Sequence, residues 1–350
     1  MPEGKTIYDR QPIGGVDQLE EMLSAPTEGV VDTLRRIEGD ILILGVGGKV
    51  GPTLARMAAR ASDAAGIERK VIGVDLFPNP EVQARVESFG VETVKCNLLD
   101  EEQFDNLPPA KNVIFMVGMK FGSTGQEALT WAMNAFLPGL VARKYADSRI
   151  VAFSTGNIYG LVPLTGGGSV EADAPNPVGD YATSALGRER MFEHFSRANG
   201  TPTAIIRLNY AVEMRYGVLV DVARQVWAGE PVDVTMGNAN VIWQADAIAM
   251  TLQSLDLVSS PPFILNVAGP ELVSIRKAAG QFGEIMGKPV TITGAEASEV
   301  LLNDGQLGHR LFGYPKIGLQ QMIHWIANWV MSGGESLGKP THFESRDGKF

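Results

Sequence analysis

The chain has 350 residues, a formal net charge of −10, one cysteine and four histidines. That length holds one large α/β unit or a core domain with a smaller lobe, and the acidic balance argues against nucleic acid or an anionic membrane surface as a main partner, because both need a basic footprint. The lone Cys96 excludes an internal disulfide and points to a reducing compartment, while so few cysteines and such widely spaced histidines form no metal-ligand cluster.

The opening residues MPEGKTIYDRQPIGG lack the apolar core of a secretory signal, and no apolar run reaches the roughly 18–20 residues of a membrane span. A soluble, cytoplasmic protein is expected. Residues 1–38 read as a helical extension, with short amphipathic helices over Asp17–Leu23 and Val30–Ile37 and a start signal at Pro26-Thr27. From Asp40 the chain alternates. Apolar runs suited to strands occur at Ile41–Leu44, Val71–Asp75, Val91–Lys95, Asn112–Val117, Ile150–Ser154 and Thr203–Leu208. Helical stretches lie between most of them, at Pro52–Ala65, Pro80–Phe89, Gln126–Ala146 and Tyr181–Ala198. Continuous apolar strands separated by helices indicate a parallel sheet covered on both faces.

After Leu208 the regularity drops. Helices are expected at Val218–Ala228, Ala245–Leu257, Ser274–Met286 and Leu319–Val330, with a further strand at Pro262–Ala268. The tail from Gly333 is rich in glycine, serine and charge, and is expected to fray or to drape on a partner. The implied division is an extension over 1–38, a main α/β domain over 39–208 plus about 240–268, a smaller lobe over about 209–239 plus 269–332, and a tail over 333–350.

The most informative segment is Asp40-Ile-Leu-Ile-Leu-Gly45-Val-Gly-Gly48-Lys-Val-Gly51: an apolar strand, a Gly-x-x-Gly-x-x-Gly turn, then a helix. Gly45 permits the tight turn, Gly48 lets the backbone approach a pyrophosphate, and Gly51 allows close helix–sheet packing. The pyrophosphate then sits on the N–H groups of Lys49, Val50 and their neighbours at the helix N-terminus. Asp75, ending the next strand, accepts the adenosine ribose hydroxyls and repels a 2′-phosphate, which favours NAD over NADP. Lys49 either reaches a phosphate or is a solvated loop lysine.

The spacing of this turn resembles that of the extended short-chain dehydrogenase/reductases, the NAD-dependent epimerase/dehydratase group that works mainly on nucleotide sugars. The resemblance runs from about Asp40 to Val330. It implies an α/β fold, a Rossmann-type doubly wound parallel sheet with a smaller C-terminal substrate lobe. It places Leu76 beside Asp75, Asn97 and Leu98 on the adenine side, and Val117 and Gly118 in the loop beneath the cofactor. Lys120 follows in a Gly-x-Lys like that of UDP-galactose epimerases, near the cofactor or substrate phosphates. Phe153-Ser-Thr155-Gly-Asn157-Ile-Tyr159-Gly160 is similar to the family's Ser-Ser-x-x-x-Tyr-Gly segment, which makes Thr155 the counterpart of its catalytic Ser/Thr and puts Asn157 on the substrate side. Tyr181 corresponds to the catalytic tyrosine, and Asn134 to an asparagine at a helix kink whose carbonyl holds a water of the proton relay. Pro138 supports that last match, because a proline frees the carbonyl four residues earlier, here that of Asn134; a simple helix bend at Pro138-Gly139 is the alternative.

One position departs from the pattern. The family's Tyr-x-x-x-Lys reads Tyr181-Ala-Thr-Ser-Ala185 here. A tyrosine titrates near ~10 unless a positive charge lowers it, so Ala185 leaves three readings open. Another cation stands in, Lys120 or Arg188; the reaction needs no strong tyrosine base; or the site binds NAD without catalysis. Asn209, Tyr210, Glu213, Arg215 and Tyr216 lie at the C-terminal edge of the sheet, where ligands bind. They suit a polyhydroxylated or anionic ligand, or form an exposed polar loop. The two functions carried forward are an NAD-dependent oxidoreductase or epimerase acting on a sugar-like alcohol, with Thr155 and Tyr181 in the proton path, and a catalytically silent NAD-binding sensor or scaffold. The resemblance also implies a homodimer paired through Gln126–Ala146 and Tyr181–Ala198.

Overall fold

The computed structural model describes residues 11–120 and 122–348. Seven strands form one parallel sheet: β1 (Ile41–Leu44), β2 (Val71–Asp75), β3 (Glu92–Lys95), β4 (Asn112–Phe115), β5 (Arg149–Thr155), β6 (Thr203–Leu208) and β7 (Phe263–Val267). Their spatial order is β3-β2-β1-β4-β5-β6-β7, every pair being parallel. β1 and β4 are buried along their whole length, as expected of strands covered on both faces. The first three strands run outward in one direction from β1 and the other four in the opposite direction. The loops after β1 and β4 therefore part company at the C-terminal edge, which opens a crevice there.

Helices α1 (Val16–Leu23) and α2 (Glu28–Arg36) precede the sheet; α3 (Gly51–Ala65), α4 (Pro80–Ser88) and α5 (Glu101–Asp105) follow its first strands. α2 begins where Thr27 accepts a hydrogen bond from the Val30 N–H at 3.2 Å, with Glu28 in its first turn and Arg35 and Arg36 in its last, an arrangement that satisfies orphan donors and complements the helix dipole. The long helix expected over Gln126–Ala146 is interrupted. α6 (Glu127–Trp131) runs into a π turn over Ala132–Phe136 and then α7 (Leu137–Lys144). The Leu137 N–H bonds to Ala132, five residues back. Pro138, which has no N–H of its own, lies at the start of α7. α8 (Gly179–Asn199) packs across this interrupted helix.

A second core lies beyond the sheet. It joins α9 (Val218–Ala228), α11 (Ile275–Met286) and α13 (Leu319–Met331), and it takes in Leu19 and Leu23 of α1. α2 packs instead on the sheet side, through Val30 and Leu34, with α3 and α10 (Gln244–Gln253). The N-terminal extension is thus shared between two cores.

The tail neither frays nor projects. The Thr341 N–H and hydroxyl both donate to Asp221 Oδ2, at 2.8 and 2.6 Å. Phe343 is buried, and Arg346 Nη1 donates to the Glu299 carbonyl at 2.7 Å. Two buried side chains and three specific hydrogen bonds overcome a flexible composition. Among the described residues no helix is long and apolar enough to cross a membrane, and no group of histidine, cysteine, aspartate or glutamate is placed to hold a metal ion.

Candidate functional site

A cavity of about 380 Å³ opens at the C-terminal edge of the sheet, where the loops after β1, β4, β5 and β6 converge. Its floor at one end is the glycine turn: Gly45, Gly48, Lys49, Val50 and Gly51 all line it. Gly45 has φ 89°, a conformation that favours glycine. A Cβ on Gly51 would lie 2.1 Å from the Val46 carbonyl oxygen, so only glycine lets α3 start this close to β1. Asp75 closes the turn from the side: its Oδ2 accepts the Gly47 N–H at 2.9 Å.

The other expected cofactor positions are spread along the same edge. Gly118 lines the cavity, and Val117 is buried just behind it. Leu76 is exposed beyond Asp75, whereas Leu98 is buried in the core under the sheet. The Asn97 side chain accepts the Leu99 N–H at 3.1 Å and so shapes the loop after β3. None of Asp75, Leu76, Asn97, Leu98 and Val117 lines the cavity itself.

Thr155, Asn157 and Tyr181 line the far end. β5 ends at Thr155, whose side-chain oxygen accepts the Asn157 N–H at 3.2 Å. Burial raises the Tyr181 pKa, while the nearby Thr155 hydroxyl and the charge of Arg188 work in the other direction. Asn134 lies one layer deeper and is fully buried. Its Oδ1 accepts the Met119 N–H at 2.8 Å, and its Nδ2 donates to Ser184 Oγ at 2.9 Å. It thereby ties the loop after β4 to α8.

Of the expected substrate residues, Asn209, Tyr210 and Tyr216 line the cavity. Tyr210 has φ 40°, a sparsely populated conformation for a residue with a side chain. Glu213 and Arg215 do not line it. They form a buried ion-pair cluster in which Arg215 Nε meets Glu213 Oε1 at 2.9 Å and Arg215 Nη2 meets Glu20 Oε1 of α1 at 2.7 Å.

Two residues that composition does not flag, Lys339 and Thr341 of the returning tail, complete the wall. Lys120 Nζ donates to the Thr341 carbonyl at 3.3 Å and lies 5.9 Å from the Tyr181 ring centroid. Lys49 Nζ stands 3.3 Å from the centre of the Tyr216 ring. Burial, with Lys120 and Lys339 close by, brings the Lys49 pKa down to about 6; burial brings Lys120 down to about 8. Three lysines from distant parts of an acidic chain thus face one cavity.

A doubly wound parallel sheet with a glycine turn and a helix N-terminus at its switch point is a Rossmann-type dinucleotide-binding architecture. A family model for the NAD-dependent epimerase/dehydratase family matches residues 41–234, more than half of the chain. The chain belongs to that family. Among solved structures it is similar to UDP-glucuronic acid 4-epimerase from Bacillus cereus in complex with UDP-glucuronic acid and NAD, with 17% identity and a TM-score of 0.69 over 84% of this chain and 99% of that one. UDP-glucose 4-epimerase from Thermus thermophilus in complex with NAD gives 21% identity and a TM-score of 0.67 over 83% and 98%. A short-chain dehydrogenase/reductase superfamily protein from Agrobacterium tumefaciens with bound NAD gives 16% and 0.68 over 84% and 97%. At these identities the likeness is one of fold. No curated protein sequence matches the chain significantly.

Proposed function

We propose that the protein is an NAD-dependent oxidoreductase or epimerase acting on a sugar-like alcohol that carries an anionic group, such as a nucleotide sugar. The observation that carries this reading is a single cavity lined both by the glycine turn and by Thr155 and Tyr181. Gly45, Gly48, Lys49, Val50 and Gly51 would hold the pyrophosphate, Asp75 the adenosine ribose, Leu76, Asn97 and Leu98 the adenine side, and Val117 and Gly118 the underside. The open cavity wall at Gly48, where an added Cβ would meet only an ordinary contact at 3.5 Å, leaves room for that group. NAD, when bound, supplies the hydride acceptor. Tyr181 takes the proton of the substrate hydroxyl, and Thr155 holds the phenolic oxygen in line for it. Asn134 fixes α8, which carries Tyr181, against the loop after β4. Asn157, Asn209, Tyr210 and Tyr216 offer amide and hydroxyl partners to a polyhydroxylated ligand. Lys120 and Lys339 offer positive charge to its anionic group.

The test is to identify by mass spectrometry the dinucleotide retained on purification, and then to screen UDP-sugars for epimerisation or NADH formation. On a substrate found this way, Tyr181→Phe is expected to lower turnover about a hundredfold or more, with NAD retention unchanged. Full turnover in Tyr181→Phe would sink the mechanism. Ala185, at the position where the family signature carries lysine, favours the second reading, a catalytically silent NAD-binding sensor. Hydride transfer to any substrate that vanishes in Thr155→Ala removes that reading. We also expect a homodimer: Leu129, Trp131 and Phe136, in and beside α6, are 43%, 40% and 60% exposed, on the interrupted helix through which pairing was anticipated.

A further inference from the structure

Ala185 is fully buried against Ile158 and Tyr159. Three residues on, along the same face of α8, stands Arg188, only 6% exposed. Its Nη1 donates to the Phe153 carbonyl at 2.8 Å and its Nη2 to Asn134 Oδ1 at 2.9 Å. Both acceptors are neutral. The one carboxylate beside it in sequence, Glu189, is committed elsewhere: it takes Arg207 Nε at 3.0 Å and Nη2 at 2.8 Å, and Ser154 Oγ at 2.5 Å. Among the described residues no carboxylate forms an ion pair with Arg188, and its Nε has no hydrogen-bond partner.

A buried guanidinium that no carboxylate touches is costly to keep charged, and only the more distant Glu189 and Tyr181 offset its burial. The group lies beneath the cavity and does not line it. A Cβ on Gly118 would fall 2.5 Å from Arg188 Nη2, so the guanidinium lies directly under the backbone that forms the cavity floor. Ser184 links it to the tyrosine, accepting from Asn134 Nδ2 at 2.9 Å and donating to the Tyr181 carbonyl at 3.0 Å.

We propose that Arg188 is the positioning residue whose fixed positive charge stabilises the Tyr181 phenolate, so that the proton-accepting site keeps its cation, displaced by about one helical turn from position 185. This rests on the reading of Tyr181 as the proton acceptor. The other groups facing Tyr181 are Thr155 from β5, Lys120 from the loop after β4, and Tyr210 and Tyr216 from the segment after β6. The tyrosines are neutral. Burial lowers both groups, but Lys120 loses its charge near pH 8, whereas Arg188 falls from the much higher arginine range and keeps its charge. At the alkaline pH where a phenolate forms, Arg188 is the cation that remains.

The test reads the tyrosine itself. 3-Fluorotyrosine placed at position 181 of the full chain is titrated by its ¹⁹F shift, with and without NAD and without any substrate. Arg188→Gln is expected to raise the midpoint by about one pH unit or more, and Arg188→Lys to recover most of that shift. An unchanged midpoint in folded Arg188→Gln, or equal shifts in Arg188→Gln and Arg188→Lys, overturns the proposal. Should Arg188→Gln not fold, Ala185→Lys on the otherwise native chain decides. A site that already has its cation shows a further fall of less than about half a unit, and a fall of about one unit or more overturns the proposal. Turnover of Tyr181→Phe tests the underlying reading separately, because the midpoint does not depend on catalysis.

Discussion

Lys120 Nζ reaches the main-chain carbonyl of Thr341, 3.3 Å away, across the mouth of the cavity. The contact joins the loop after β4 to the last segment of the chain, and it makes the tail part of the wall. Asp221 sets this up by taking both the N–H and the hydroxyl of Thr341.

Release of the tail should therefore open the site without disturbing the glycine turn. Hydrogen bonds to a charged group contribute about 1.5–3 kcal/mol each when well formed. Asp221→Asn weakens two of them. The expected outcome is faster hydrogen exchange over 333–348 and roughly tenfold weaker binding of UDP-sugars, a change of about 1.4 kcal/mol, with NAD retention unaltered. Exchange mass spectrometry and calorimetry check the two halves independently. Unchanged exchange in the tail would show that Asp221 does not hold it.

Lys49 carries a cost in the free protein that a bound anion relieves. Burial, reinforced by Lys120 and Lys339, lowers its pKa to about 6. In the window between that value and the ordinary lysine range the unfolded chain holds a proton that the folded chain has lost, so this group's contribution to stability improves as pH rises from 6 and is worst below 6. Lys49→Met removes the penalty. The variant is expected to melt about 2–4 °C higher at pH 6–7, with the advantage shrinking toward pH 9. A saturating dinucleotide should raise the melting temperature of the native chain more than that of the variant. A variant that melts lower at pH 6 than the native chain contradicts this account.

The sheet is legible in the sequence because its central strands are buried on both faces. Ile41–Leu44, Val71–Asp75 and Thr203–Leu208 stand out as continuous apolar runs bounded by turn residues, and they form β1, β2 and β6 with those bounds. The glycine turn is legible for the same local reason: its conformation and close packing are written in three residues. Pro138 announces an interruption in the helix after β4, yet its form as a π turn around Asn134 depends on side-chain bonds to Met119 and Ser184 from other elements. Longer-range relations are invisible to any local pattern. Glu213 and Arg215 look like a ligand cluster in a loop, but the counter-ion Glu20 arrives from α1 and buries them. Lys339 and Thr341 sit in a segment whose composition suits disorder, and contacts from distant residues, Asp221, Lys120 and Glu299, bring them to the site.

The Glu20–Arg215–Glu213 cluster fastens the N-terminal extension to the second core. Burial pushes the Glu213 pKa up, and Arg215 opposes that push. Arg215→Met leaves two buried carboxylates facing each other, and breaking a buried pair in this way costs about 3–5 kcal/mol. A carboxylate whose folded pKa is raised destabilises the fold as pH climbs through that value. The variant should therefore regain stability as pH is lowered from 7 to 5. Denaturant unfolding at both pH values checks the sign; a variant that loses further stability at pH 5 would contradict it.

The apolar side chains around α6 give the proposed dimer its own test. Leu129, Trp131 and Phe136 are the large hydrophobic residues that this helix leaves open to solvent, and Trp131 Nε1 also donates to Asp180 Oδ1 at the start of α8, at 2.9 Å. The two helices therefore present one joined face. Exposed apolar groups gathered in this way mark contact sites more often than isolated ones do. Phe136 is the most exposed of the three, at 60%, so replacing it disturbs the least packing within the chain. Phe136→Glu is expected to leave the melting transition of the monomer within about ±0.5 kcal/mol, as for surface substitutions generally, while converting a dimer at micromolar concentration to monomer. Light scattering of the native chain and the variant decides the matter: a monomeric native chain rules out the pairing, and a variant that stays dimeric moves it to another face.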